Sequence, residues 1–275
     1  MKTNFRKIAL VIIGSFILFS SYAQDSLSFS IGLNSYAKGN VQDAIYWLSK
    51  SIEKNYLLAD SYLYRGACKA SLGNYDEAFV DLFYSYKLDS SKSLSCQFIG
   101  NIYGVQNKLD SSILWLSKAI KKDPKNGDAY SVRASTYKAL KDYDKAMADI
   151  NLAIKMYPAV RDFLLNRASI KQEQSNFDDA LEDYASALAM DRSLGNNIST
   201  YINMAVCHAA LNALEDALAD FSKVLDRYPN EPQALEGRGQ LYQAMGRKDE
   251  ACADFKKLIP IDSIVANGYI DKYCR

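Results

Sequence analysis

The stretch GNYDEAF, residues 73–79, does not stand alone. GNVQDAI begins at 39, NKLDSSI at 107, KDYDKAM at 141, SNFDDAL at 175, NALEDAL at 212 and GRKDEAC at 246. Their starts lie 34 residues apart, except for one interval of 37. Seven residues before each start stands a small residue: Gly32, Gly66, Gly100, Ala134, Ala168, Ala205 and Gly239. Twelve residues after each of these stands another: Ala44, Ala78, Ser112, Ala146, Ala180, Ala217 and Ala251. A fixed period in this range marks stacked supersecondary units, because one such unit cannot bury its own apolar face.

Each unit reads as a helical hairpin, in which two apolar-periodic stretches flank a polar turn. The two small residues, one per helix, let the helices approach closely. The second stretch is often opened by an acid (Asp76, Asp110, Asp144, Asp178 and Asp249). Such an acid suits a helix start, where a carboxylate can accept from free N–H groups. Pro124, Pro158 and Pro229 stop second helices, since proline cannot continue the ladder.

These residues resemble the tetratricopeptide repeat family, whose 34-residue pattern has an early small residue, a later Ala and a Pro near its end. The resemblance implies an all-α solenoid, a right-handed superhelix of about seven helix-turn-helix repeats with a C-terminal capping helix. The repeats fall at 25–58, 59–92, 93–126, 127–160, 161–194, 198–231 and 232–265, with 266–275 ending the cap. The extra residues Gly195, Asn196 and Asn197 form either a slack loop or a hinge. This register leaves no stretch of the chain for a separate catalytic domain.

The first 23 residues predict export. Lys2, Arg6 and Lys7 precede the apolar run IALVIIGSFILF, and small residues follow at Ser21 and Ala23. This order is that of a secretory signal peptide, 1–23. The run falls short of the roughly 20 residues of a membrane span, which disfavours an uncleaved anchor. No second apolar run follows, so no transmembrane segment is expected after cleavage. Cleavage leaves 30 basic against 32 acidic residues, a balance without the basic footprint of nucleic-acid binding. The expected location is periplasmic, outer-membrane-associated or secreted.

Comparing the seven copies reveals a covariation. The residue before the early small position is Ile31, Arg65, Ile99, Arg133, Arg167, Met204 or Arg238. Sixteen residues on stand Trp47, Asp81, Trp115, Asp149, Asp183, Asp220 and Asp254. Every Arg has an Asp, both Ile have a Trp, and Met204 with Asp220 breaks the rule. Structural pairs are expected for Arg65–Asp81, Arg133–Asp149, Arg167–Asp183 and Arg238–Asp254, since a half-buried guanidinium needs its carboxylate. The alternative is a row of arginines that grips acidic ligands.

Catalytic chemistry is poorly represented. His208 is the single histidine, and it occupies a repeat position held elsewhere by Ser35, Lys69, Tyr103, Tyr137, Lys171 and Tyr242. No multi-histidine metal site, imidazole relay or phosphate-cradling glycine loop is present, so no enzyme, no metal and no cofactor are expected. The family resemblance instead implies a protein or peptide partner in a concave groove lined by first helices. Carried onto this chain, its groove positions include Phe29, Leu33, Tyr36, Leu63, Gln97, Asn101, Ser131, Ser135, Lys138, Gln172, Gln240 and Gln243. Gln97 and Asn101 keep one amide position of a peptide clamp found in some members, but the basic partners of that clamp are absent. The expected function is a non-enzymatic interaction scaffold of the cell envelope, with a small-molecule or glycan receptor as the alternative.

Five cysteines occur. Cys68, Cys96 and Cys207 sit in first helices and read as small core residues. Val265, Tyr269 and Tyr273 recur at i, i+4 and i+8, as in a short cap over the last repeat. Antiparallel neighbours would bring Cys252, at one helix start, near Cys274, at the end of the cap. A terminal Cys pair also resembles other exported repeat proteins. A disulfide closing this loop would stabilise by roughly 3 kcal/mol, although spacing alone does not fix the Cα separation it needs.

Overall fold

The computed structural model describes residues 26–191, 193 and 195–274, so the predicted signal peptide lies outside the described residues. All regular structure among them is helical. Two compact units divide the chain, Met1–Leu140 and Lys141–Arg275. The first holds α1 (26–37), α2 (Val41–Glu53), α3 (Leu58–Ser71), α4 (Tyr75–Leu88), α5 (Ser93–Val105), α6 (Leu109–Lys122) and α7 (Gly127–Ala139). The second holds α8 (Tyr143–Met156), α9 (Arg161–Glu173), α10 (Phe177–Met190), α11 (Ile198–Ala210), α12 (Leu214–Arg227), α13 (Pro232–Ala244), α14 (Lys248–Leu258) and α15 (Ser263–Tyr273). A 3-10 turn, Gly195–Asn197, takes up the extra residues before α11.

Within each unit consecutive helices pack as hairpins: α3 on α4 and α5 on α6 in the first, α9 on α10, α11 on α12 and α13 on α14 in the second. The spacing of small residues explains how closely they pack. A Cβ on Gly66 would lie 2.8 Å from Cγ of Leu82, and one on Gly239 would lie 2.5 Å from Cε1 of Phe255. The core therefore uses the missing side chain of one helix to seat a large one from the next. Leu48, Leu82 and Leu116 are fully buried in this way, each contributing roughly 2 kcal/mol by leaving water. Buried hydroxyls tie one hairpin to the next: Ser61 donates to Ser51 Oγ at 2.9 Å, and Ser85 pairs with Ser95 at 2.8 Å.

The turns follow one rule. Gly39, Gly73, Asn107, Lys141, Ser175, Asn212 and Gly246, the first residues of the seven aligned stretches, all have positive φ. Glycine and asparagine tolerate this left-handed region, whereas Lys141 and Ser175 carry a Cβ that crowds the following carbonyl.

Two local expectations need correction. Asp76, Asp110, Asp144, Asp178 and Asp249 do not cap their helices; they lie inside the first turn. There they favour the helix through its dipole, whose positive end they face. Of the residues preceding these second helices, Asp142 is the one whose side chain accepts a first-turn N–H, that of Lys145. In the cap, Val265 is 38% exposed, and the buried stripe runs instead through Ala266, Tyr269 and Tyr273. The stripe thus follows i, i+3 and i+7, the other spacing that keeps residues on one helix face.

Candidate functional site

The arginines of the repeats are structural in their geometry. Arg65 forks onto Asp81, with Nε and Nη2 donating at 2.8 and 2.7 Å, and its Nη1 donates to Ser49 at 3.0 Å. Ser49 lies sixteen residues before Arg65 and Asp81 sixteen after, so one guanidinium joins the second helices of successive hairpins. The same device recurs in the second unit as Asn151–Arg167–Asp183 and Ser222–Arg238–Asp254. Arg133 donates to Ser117 at 2.8 Å within the first unit; Asp149, its predicted partner, is buried in the second. Ile99 and Trp115, the apolar version of the pair, pack in one core cluster.

Lys69 and Lys171, four residues after their arginines, also reach Asp81 and Asp183, at 3.0 and 2.8 Å. This explains the exception at Met204. His208 occupies the same position as those lysines, and its Nδ1 lies 2.9 Å from Asp220 Oδ2. The imidazole covers the carboxylate that Met204 leaves without a guanidinium. The two carboxyls respond differently. Burial pushes Asp183 up, but hydrogen bonds from Arg167 and Lys171 outweigh it and hold the group below the usual carboxylate range. For Asp220 burial prevails over the His208 bond, and its value is raised.

Asn101 and Ser135 meet at one cleft in the first unit. It has a volume of about 390 Å³ and is lined by Asn101, Gly104 and Val105 of α5, Leu109 of α6, and Val132, Ser135, Thr136 and Ala139 of α7. Of the first helices, α5 faces the cleft with one turn and α7 with two, which brings positions three and four residues apart onto one wall. Gly104 contributes no side chain and leaves the space open. Thr136 is satisfied by Ser112 Oγ at 3.1 Å and by the Val132 carbonyl at 2.9 Å. Ser135 Oγ donates to the Ser131 carbonyl at 3.2 Å. Asn101 Oδ1, by contrast, is buried and has no hydrogen-bond partner. An unpaired buried carbonyl costs roughly 1–3 kcal/mol.

The other predicted groove residues are dispersed. Leu63 is a core residue, and Gln97 is buried, accepting from Asn126 Nδ2 at 2.8 Å. Phe29 and Tyr36 pack against Tyr64, with ring centroids at 6.4 and 5.2 Å, and Leu33 is half-buried on the same helix. Ser131 and Lys138 lie half-buried on α7. Gln172 belongs to a second cleft of about 350 Å³, with Ser169, Glu173, Phe177 and Asn203, and accepts from the Tyr184 hydroxyl at 2.8 Å. Gln240 is exposed at the edge of the cap: its amide donates to the Tyr269 hydroxyl at 2.5 Å, which donates to Glu236 at 2.6 Å. Gln243 is exposed. Sequence reasoning missed Gly104, Val105, Leu109, Val132, Thr136 and Ala139. The signal available for them was helical adjacency to Asn101 and Ser135.

Cys252 and Cys274 are bonded, with S–S 2.01 Å and Cα–Cα 5.7 Å. Cys68, Cys96 and Cys207 are free and buried, and burial pushes the Cys68 and Cys207 thiols up to about 11. Both are therefore protonated at neutral pH and poor nucleophiles. Among the described residues, no group of three or more His, Cys, Asp or Glu could hold a metal ion. No described helix is long and apolar enough to cross a membrane.

Three sequence models, each described as a tetratricopeptide repeat, match residues 115–148, 161–230 and 204–263, and those stretches are tetratricopeptide repeats. RNA polymerase II-associated protein 3 of Rattus norvegicus is 27% identical over 165 residues, covering 60% of this chain. The match spans only 19% of that relative's length. A tetratricopeptide repeat protein from Parabacteroides merdae superposes with a TM-score of 0.65 at 16% identity, over 90% of this chain and 97% of that one. YrrB, described as a TPR protein with an unusual peptide-binding site, superposes with a TM-score of 0.52 at 18% identity, over 68% of this chain and 96% of its own. At these identities the likeness to the solved structures is one of fold.

Proposed function

We propose that this chain of tetratricopeptide repeats is a non-enzymatic interaction scaffold of the cell envelope that binds an extended segment of a partner protein. The observation that carries the reading is the Asn101 cleft. Its walls are apolar, and one buried acceptor waits at its side. A peptide backbone supplies the complementary N–H, and a small apolar side chain fills the space beside Val105 and Val132. The peptide-binding site named for YrrB lends support from a protein of the same fold. Export is supported by the composition of residues 1–23 and by the Cys252–Cys274 bond, which persists in oxidising compartments.

A photo-cross-linker placed at Ser135, in native envelope extract, tests the reading. A discrete cross-linked partner is expected, and it should be lost when Asn101→Leu removes the acceptor. Cross-links unchanged by that substitution would refute the cleft as the binding site. Sequencing of the mature amino terminus checks export, with Gln24 as the expected first residue. A second reading rests on the other cleft, where Gln172, Glu173, Ser169 and Asn203 surround Phe177. Polar groups around one aromatic ring fit a sugar better than a peptide, and calorimetric titration with envelope glycans distinguishes the two.

A further inference from the structure

The second helices of the first unit leave apolar side chains in water. Tyr46 on α2, Val80 on α4 and Leu114 on α6 occupy one repeat position, and each is more than half exposed. Tyr84 and Leu88, one and two turns beyond Val80, are also more than half exposed. At the same repeat position the second unit has Ala148, Glu182, Ala219 and Ala253. Hairpin packing therefore does not demand a large apolar residue there.

Lysines accompany these residues. Lys50, Lys87, Lys121 and Lys122 lie in the last turns of α2, α4 and α6. Several lie over rings: Lys50 over Tyr46 at 5.9 Å, Lys87 over Phe83 at 4.9 Å and Lys118 over Trp115 at 4.1 Å. Of these, Lys50 is matched by an acid nearby, Glu53 at 2.8 Å. Asp76, Glu77 and Asp110 sit at the opposite ends of α4 and α6, Asp81 in mid-helix is bound to Arg65 and Lys69, and Asp89 and Asp123 follow the last turns as C-caps. Residues 26–140 hold fourteen Lys and Arg against ten Asp and Glu, while residues 141–275 hold sixteen against twenty-one. Lysines in a last turn complement the helix dipole, but that role leaves the exposed Tyr, Val and Leu unexplained.

We propose that this face docks on an anionic bilayer surface. Tyr46, Val80, Tyr84 and Leu114 would enter the headgroup boundary, while Lys87, Lys118 and Lys121 meet lipid phosphates. Three features favour a bilayer over a protein helix. The apolar residues are spread over three separate helices, with one exposed stripe of Val80, Tyr84 and Leu88 on α4, whereas a helical partner needs them collected in a groove. Tyrosine suits the boundary, where its ring is apolar and its hydroxyl is wet. The ammonium groups of Lys50, Lys87 and Lys118 lie over aromatic rings beside this face, and their long stems can swing the charges out to headgroups while still covering apolar surface. The face is independent of the Asn101 cleft, and neither proposal depends on the other.

The test is co-sedimentation of the full chain with vesicles of phosphatidylglycerol and phosphatidylcholine, against vesicles of phosphatidylcholine alone. Anionic vesicles should be preferred, and the preference should fade between about 0.05 and about 0.5 M salt. K87Q/K118Q/K121Q should weaken anionic binding about a hundredfold, since each lysine near such a surface is worth about fivefold. V80Q/L114Q should weaken binding while preserving the far-UV circular dichroism, because both side chains are already exposed. Reading each variant against the parent separates this face from residues 1–23, which all of them share. Equal binding to both vesicles, or anionic binding unmoved by both variants, would overturn the proposal. So would a concentration-dependent dimer, or capture of an acidic amphipathic peptide, that tracked these variants while vesicles stayed unbound.

Discussion

Replacing Cys274 by serine should loosen the C-terminal cap without unfolding the repeats beneath it. Cys274 is the better target, because it is half-buried, whereas serine at buried Cys252 would also place a hydroxyl in the core. The bond closes a separation of 22 residues, which withdraws about 3 kcal/mol from the detached state in the chain-entropy account. At 1.36 kcal/mol per factor of ten, cap opening should become about a hundredfold more frequent. Other contacts hold α15 in place. Ala266 is fully buried, Tyr269 stacks on Phe255 at 4.6 Å, and the Tyr269 hydroxyl bonds Glu236. Against them, an isolated helix of 11 residues is marginal in water, and Gly268 costs about 1 kcal/mol relative to alanine. Native-state hydrogen exchange read by mass spectrometry should show α15 amides exchanging about a hundredfold faster in the variant, with α9 and α10 unchanged. Reduced parent protein should behave alike. If α15 exchanges at the parent rate in both, the contacts alone hold the cap and the reasoning fails.

Ser175→Gly should stabilise by about 1 kcal/mol in chemical denaturation, because it removes a Cβ from a left-handed turn. Arg167→Ala should destabilise by about 3 kcal/mol, since it leaves Asp183, only 6% exposed, with Lys171 alone. The two buried carboxyls predict opposite pH responses. Asp183 lies below its unfolded value, so its contribution is present above that value and lost as pH falls through the folded one. Asp220 is raised, so its contribution is present in acid and lost as pH rises through its folded value. Accordingly, Asp220→Asn should raise the neutral-pH melting temperature and Asp183→Asn should lower it; shifts of the same sign would contradict the assignment.

The order of residues alone determined the helical hairpins, their period and the seven turn positions. All of these depend on spacing along a chain that repeats its own pattern. The Arg–Asp covariation was likewise legible, because each repeat served as a comparison for the others. What lay across hairpins was not legible. Ser49 behind Arg65, Asn126 over Gln97 and His208 beneath Met204 depend on which side chains converge after stacking, and several residue types satisfy each place. The same holds for the cleft. Asn101 was picked out by its position, but its unpartnered oxygen and the walls at Val105 and Leu109 exist only once α5, α6 and α7 pack together. The cysteine pair needed a Cα separation of 5.7 Å, a distance set by how α15 seats on Phe255. Local periodicity is written in one dimension, whereas cavities, pairings across helices and cross-links depend on distances that only the packed chain defines.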